Sequence, residues 1–312
     1  MYKIGVDLGG TNIAVGIVNE ENVMVANAHT PTDPGRGAQA VVDDMAECIS
    51  NALQLSGIGI EECLGIGVGS PGTCDAENGV VVQAFNLGWF QVPVCRMLSE
   101  RFGIPAYLGN DADCAALGEV VAGAAVGSRD ALMVTLGTGV GGGVIIDGRI
   151  YAGHHTLGGE AGHMCICMDG EPCTCGEKGC WEAYASATAL IRQGERAAAV
   201  HPESRLNAMG KLDGLKIFTA MHDGDETAAQ VVEAYCRYVA VGLVNLVNVL
   251  YPEVIILGGG ICAQGETLLA PVRRYIAEHF FVGRPEVMPR LVTAKLGNDA
   301  GIIGAAALCG GR

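Results

Sequence analysis

The segment Glu160 to Glu182, EAGHMCICMDGEPCTCGEKGCWE, sets one histidine and five cysteines between two terminal glutamates. Cys173-x-Cys175-Gly176-x-x-Gly179-Cys180 is a tight thiol cluster, and His163 precedes it by ten residues. Three thiolates and one imidazole complete a tetrahedral zinc site with no position left for water, so the chemistry is structural and not hydrolytic. Gly176 and Gly179 permit turns tight enough for the thiolates to converge. Cys165 and Cys167 lie close by, and either could replace His163 as a ligand. Reduced buried cysteines or a disulfide network are the competing reading. The spacing disfavours both, and thirteen cysteines in a chain expected to carry no signal peptide imply a reducing, cytoplasmic compartment. A loop pinned in this way could hold Glu160, His163 and Glu182 still against a polar substrate.

Two glycine-rich stretches could grip phosphate. Asp7-Leu8-Gly9-Gly10-Thr11-Asn12 joins strand patterns at 4–8 and 13–18. Its glycines leave amides open to an anion, Thr11 adds a hydroxyl, and Asp7 places a carboxylate where a divalent cation could sit. An ordinary tight hairpin is the plain alternative. Leu136-Gly137-Thr138-Gly139-Val140-Gly141-Gly142-Gly143 contains G-x-G-x-x-G, but a strand pattern and an Asp147-Gly148 turn follow where a dinucleotide site needs a helix. Both stretches therefore read as strand, glycine hairpin, strand, which implies a duplicated architecture able to hold a polyphosphate from both sides. Gly258-Gly259-Gly260 follows a third apolar strand. It lacks the acidic partner of a dinucleotide turn, so it reads as a nucleoside pocket. No G-x-x-x-x-G-K-[ST] occurs, which excludes a P-loop. Asn110-Asp111 ends a strand pattern at 104–108, the end where α/β sheets bind ligands. Asp111 could act as a general base and Asp113 could be the N-cap of the following helix; the duller alternative makes both of them caps.

The elements that must position these groups are α/β layers. The 312 residues suffice for two domains, half of them are hydrophobic, and only 5% are aromatic, so the cores must be built from Ala, Val, Ile and Leu. A net charge of −15 argues against nucleic acid or an anionic membrane as partner. No stretch reaches the roughly 18 uncharged apolar residues of a membrane span. Helices are expected at 37–55, 94–102, 112–125, 181–199, 215–222, 226–249, 266–281 and 299–309, and residues 86–89 as a loop.

Taken together, these motifs resemble the ROK family of sugar kinases and repressors over nearly the whole chain. The resemblance implies an α/β, two-domain actin-like ATPase (ribonuclease H-like) fold of the hexokinase–actin–Hsp70 superfold. It implies a smaller domain of residues 1–112 plus 299–312 and a larger one of 113–298 carrying the zinc loop. The most specific match is Glu160-x-Gly162-His163 with Cys173-x-Cys175-Gly176-x-x-Gly179-Cys180-x-Glu182. In the family the His and three Cys hold a structural Zn²⁺, and the same His also touches the sugar. The resemblance further implies ATP with Mg²⁺ at Asp7, Gly9, Gly10, Thr11, Asn12, Gly137, Thr138, Gly139, Gly258, Gly259 and Gly260. Asp111 would take the proton of a sugar hydroxyl, and Asn110, Glu160, His163 and Glu182, with Gly72 and Asn86, would hold the others. Phosphorylation of glucose at O6 is the leading expectation, with N-acetylglucosamine, N-acetylmannosamine or fructose as alternative substrates. A sugar-responsive repressor would need a DNA-binding segment ahead of the kinase-like part and suits neither a first motif at residue 7 nor the acidic charge. A non-catalytic sugar binder suits poorly the presence of Asp7, Asp111 and both hairpins. The family also implies a homodimer or homotetramer. Asp113, where the family often has Asn, and Cys165 and Cys167 depart from its pattern.

Overall fold

The computed structural model describes residues 1–310. In its first half the chain runs β1 (Tyr2–Leu8), β2 (Asn12–Val18), β3 (Met24–Pro31), α1 (Ala38–Ser56), β4 (Cys63–Ser70), β5 (Thr73–Asp75), β6 (Val80–Ala84), β7 (Trp89–Val92), α2 (Val94–Phe102), β8 (Ala106–Asn110) and α3 (Asp111–Val121). The second half runs β9 (Ala131–Leu136), β10 (Val140–Ile146), β11 (Arg149–Ile150), α4 (Glu182–Ala185), α5 (Ala187–Val200), α6 (Gly214–His222), α7 (Glu226–Leu250), β12 (Val254–Gly258), α8 (Glu266–His279), β13 (Arg290–Thr293) and α9 (Asp299–Ala307). Two five-stranded sheets have the orders β3-β2-β1-β4-β8 and β11-β10-β9-β12-β13, and β5, β6 and β7 form a small third sheet. No helix among the described residues is long and apolar enough to cross a membrane.

The residues form two compact units. One comprises Met1–Leu132, Gly143–Gly159 and the segment from Ala294 onward; the other comprises Met133–Gly142 and Glu160–Thr293. In the first, β1 and β2 make the expected antiparallel hairpin, while β4 and β8 join β1 in parallel. Register pairs Asp7 with Gly69, Gly69 with Gly109, and Ser70 with Asn110, so the C-terminal ends of β1, β4 and β8 lie side by side. Ile4 and Val6 of β1 and Ile66 and Val68 of β4 are fully buried in a core to which α1 contributes Val41, Met45, Ile49 and Ala52. On the other face α9 approaches backbone to backbone. A Cβ on Gly304 would sit 1.6 Å from the carbonyl oxygen of Cys114 in α3, so only glycine fits there. Glu119, fully buried in α3, accepts backbone N–H groups of Lys295 and Leu296 at 2.8 Å each and ties the segment before α9 to α3.

Three local expectations change. Asn110, not Asp113, caps α3: its Oδ1 accepts the N–H of Ala112 at 2.9 Å and of Asp113 at 3.3 Å, because Asn110 keeps extended dihedrals while Asp111 already begins the helix. The segment around Trp89 is strand β7, paired with β6, after a single 3-10 turn. The helix expected at 181–199 breaks at Ser186, whose hydroxyl accepts the Ala189 N–H and starts α5 afresh.

Candidate active site

In the first unit, the strand ends bring together Asp7, the hairpin Gly9–Asn12, Asn110 and Asp111. The hairpin closes through the N–H of Gly9 on the carbonyl of Asn12 at 2.9 Å. Thr32, which sequence reasoning passed over, braces it: its hydroxyl donates to the Gly9 carbonyl at 2.8 Å and its N–H to the Thr11 carbonyl at 3.0 Å. Asn86 lies over the same hairpin, since a Cβ on Gly10 would come 3.1 Å from its Nδ2. The Nδ2 of Asn110 donates to the Gly72 carbonyl at 3.1 Å, which joins two of the expected sugar contacts directly. Asp111 is half-buried at the first turn of α3, where the helix N-terminus favours negative charge. Burial nevertheless raises its pKa above the usual carboxylate range. Burial, with the Asp111 charge as second cause, pushes Asp7 up to about 6. Two carboxylates concentrated in a desolvated corner are costly unless a proton or a cation offsets them.

In the second unit, β9 and β12 are neighbours, and their ends bring the glycine hairpin and the Gly258–Gly260 turn together. Gly259 has φ +92° and packs so closely on Leu136 that a Cβ would lie 2.3 Å from the Leu136 carbonyl oxygen. The start of α5 backs the hairpin: the Ala187 N–H donates to the Gly137 carbonyl and the Thr188 hydroxyl to the Thr138 carbonyl, both at 2.8 Å.

The cysteine loop belongs to the same unit. The ligand atoms of His163, Cys173, Cys175 and Cys180 all lie within 4.8 Å of one another. Sγ of Cys175 and Cys180 are 3.7 Å apart, and Nδ1 of His163 is 3.8 Å from Sγ of Cys173. A tetrahedral ion with Zn–S bonds of ~2.3 Å would set its sulfurs ~3.8 Å apart. Donor set and spacing thus fit zinc, and all four residues lie in a group from which Cys165 and Cys167 are absent. Trp181, fully buried, anchors the exit of the loop by donating from its indole to the Tyr238 carbonyl at 2.8 Å.

Glu182 joins this loop to the hairpin. Its Oε2 accepts the Val140 N–H at 3.0 Å, and its Oε1 accepts the Thr174 hydroxyl at 3.2 Å. A Cβ on Gly139 would meet the Glu182 carboxylate at 2.2 Å, so a side chain there would push Glu182 off the hairpin. Glu160 and His163 are exposed on the single 3-10 turn that opens the loop. Thr174, between two of the thiols, went unnoticed in the sequence; the x of C-x-C carries no pattern of its own.

Paired α/β sheets, with glycine hairpins at strand ends and acidic groups beside them, define a phosphoryl-transfer ATPase of the actin–hexokinase–Hsp70 superfold. A model described as the ROK family matches residues 3–312, and the chain belongs to that family. It is 38% identical over 319 residues to a glucokinase of Thermotoga maritima, spanning 98% of this chain and 96% of the relative. Its structure resembles that of a ROK hexokinase from Thermus thermophilus, with a TM-score of 0.82, 36% identity, and 99% and 97% of the two chains covered. It also resembles a ROK glucokinase from Streptomyces griseus in complex with glucose and AMPPNP, with a TM-score of 0.76, 34% identity and 99% of each chain covered.

Proposed function

We propose that this protein is an ATP-dependent hexose kinase that converts glucose to glucose 6-phosphate, with Asp111 as general base. The observation that carries the reading is the corner in which Asp7, at the end of β1, lies beside Asp111, on the first turn of α3 after β8, both with raised pKa values. It stands on the fold of relatives named glucokinase, one of them solved with glucose and a nucleotide analogue. Burial raises the basicity of Asp111 toward that of a useful proton acceptor. Asp7 would hold Mg²⁺ with ATP, and the hairpins at Gly9–Asn12 and Gly137–Gly139 would present amides to the phosphates. Gly258, Gly259 and Gly260 would border the nucleoside.

Asn110, Glu160, His163 and Glu182, with Gly72 and Asn86, would bind the sugar hydroxyls. Zn²⁺ on His163, Cys173, Cys175 and Cys180 would supply only rigidity, leaving the second nitrogen of His163 for the sugar. The smaller lobe of residues 1–112 plus 299–312 and the larger lobe of 113–298 remain part of this proposal; residues 311 and 312 lie outside the described residues. A cytoplasmic homodimer or homotetramer serving glycolysis completes it.

A coupled ATP assay over a panel of sugars tests the substrate. Glucose should give the highest kcat/KM. Much faster turnover of N-acetylglucosamine, N-acetylmannosamine or fructose would replace glucose and keep the kinase, while sugar binding with no turnover would leave only a sugar-binding protein.

A further inference from the structure

Cys165 and Cys167 are exposed thiols outside the four-residue metal group. Cys165 forms an isolated antiparallel bridge with Cys180, one of that group. The Ile166 N–H donates to the Gly179 carbonyl and the Trp181 N–H to the Met164 carbonyl, each at 2.8 Å. These two bonds flank the pair, so Cys165 and Cys180 face each other as a non-hydrogen-bonded pair. In such a pair the Cα atoms are ~4.5 Å apart and both side chains leave the same face of the ladder. That separation lies within the ~4.4–6.8 Å range of disulfides. Sγ of Cys165 already leans toward the neighbouring strand, since a Cβ on Gly179 would lie 3.1 Å from it. Cys167, two residues further on, has no cysteine opposite it on the ladder.

Resting on the zinc reading above, we propose that Cys165 is a redox modification site that peroxides oxidise and that then captures Cys180 as a disulfide, releasing the metal. The exposed Cys165 thiol reacts with hydrogen peroxide to give the sulfenic acid and one water. The Cys180 thiolate attacks that sulfur, the S–S bond forms, and the hydroxyl leaves as a second water with a proton from the medium. Across the two steps one peroxide is reduced to two waters, the Cys165 thiol and the Cys180 thiolate together lose two electrons, and the two protons needed come from the Cys165 thiol and from the medium. Cys180 is buried, and the exposed Cys165 stands opposite it on the ladder. The ion is left with three of its four ligands, and the loop that carries Glu160, His163 and Glu182 loosens. A thiol reductant with added zinc reverses the change.

The zinc-loaded full chain is treated with hydrogen peroxide while a chromogenic chelator reports released zinc, and the alkylated product is mapped by mass spectrometry. The expected product is a Cys165–Cys180 cross-link. Cys165→Ala and Cys165→Ser, at an exposed position, should keep full zinc content and slow the release by about tenfold or more, whereas Cys167→Ser should release zinc like the parent. Equal release from Cys165→Ala and the parent overturns the proposal. So does a map that pairs Cys180 with Cys173 or Cys175 and leaves Cys165 alkylatable. Untreated protein without bound zinc overturns the metal reading and the release step, while the map decides the Cys165–Cys180 pair by itself.

Discussion

The acidic corner at the ends of β1 and β8 and the cysteine loop after residue 160 both hold polar side chains in place, by opposite routes. Asp7 sits on β1 and Asp111 on the first turn of α3 directly after β8, so strand pairing, the helix start and packing fix them. Such a scaffold can carry strain, and it does: both carboxyls are desolvated enough to lift their pKa values. The loop has almost no core of its own. Cys165, Cys167 and Cys175 are exposed, and its order comes from turns, one buried tryptophan and four converging ligand atoms. A site built on packing tolerates unfavourable electrostatics; a site built on a loop needs a cross-link.

Removing the proposed base should give the largest effect. Asp111→Ala should lower kcat by about 10²–10⁴ and leave glucose affinity, measured by calorimetry, within a few-fold of the parent. A variant with near-normal kcat would remove Asp111 from the chemistry. Next comes the staple. Cys175→Ser should lose zinc, fall in glucose affinity by about tenfold or more and melt earlier. Undiminished affinity in the metal-free variant would uncouple the loop from the sugar.

The strain in the acidic corner can be read from stability. Asp7 is pushed from 3.8 to about 6, so between those values the folded state holds a proton that the unfolded state has given up. Its cost is therefore full above about pH 6, shrinks as pH falls, and is gone below 3.8. Asp7→Asn should stabilise the metal-free protein by about 2–3 kcal/mol at pH 7.5 and by little near pH 4, while abolishing Mg²⁺-dependent turnover. Denaturant melts at the two pH values check this; equal gains at both would mean that charge is not the cause. The smallest change is Thr174→Val, which removes one hydrogen bond to Glu182, worth about 1 kcal/mol. It should raise the KM for glucose several-fold and hardly alter kcat.

Local chemistry explains what could be read directly. Glycine hairpins after apolar strands, a C-x-C-G-x-x-G-C spacing and short alternating strands each depend on neighbours within a few residues. Accordingly α2 matches the residues read from the pattern, and the first hairpin does so with β1 extended back to Tyr2 and β2 to Asn12. The cap of α3 misled because Asn110, Asp111 and Asp113 are all good capping residues, and only the end of β8 selects Asn110. Trp89 was hidden because its partner strand β6 is a pairing across a turn, and residues 86–89 alone look like loop.

By itself, the order of residues determined the α/β class, the two glycine hairpins and the cluster of thiols at Cys173, Cys175 and Cys180, because these follow from backbone freedom and ligand spacing over short distances; that His163, and neither Cys165 nor Cys167, completes the group was decided by the tertiary structure. The tertiary structure alone decided that β4 and β8 run parallel to β1 and so crowd Asp7 with Asp111. It also decided that Glu182 grips the hairpin against Gly139, and that Cys165 faces Cys180. Those juxtapositions depend on strand order and register, which are set by how whole faces bury against one another.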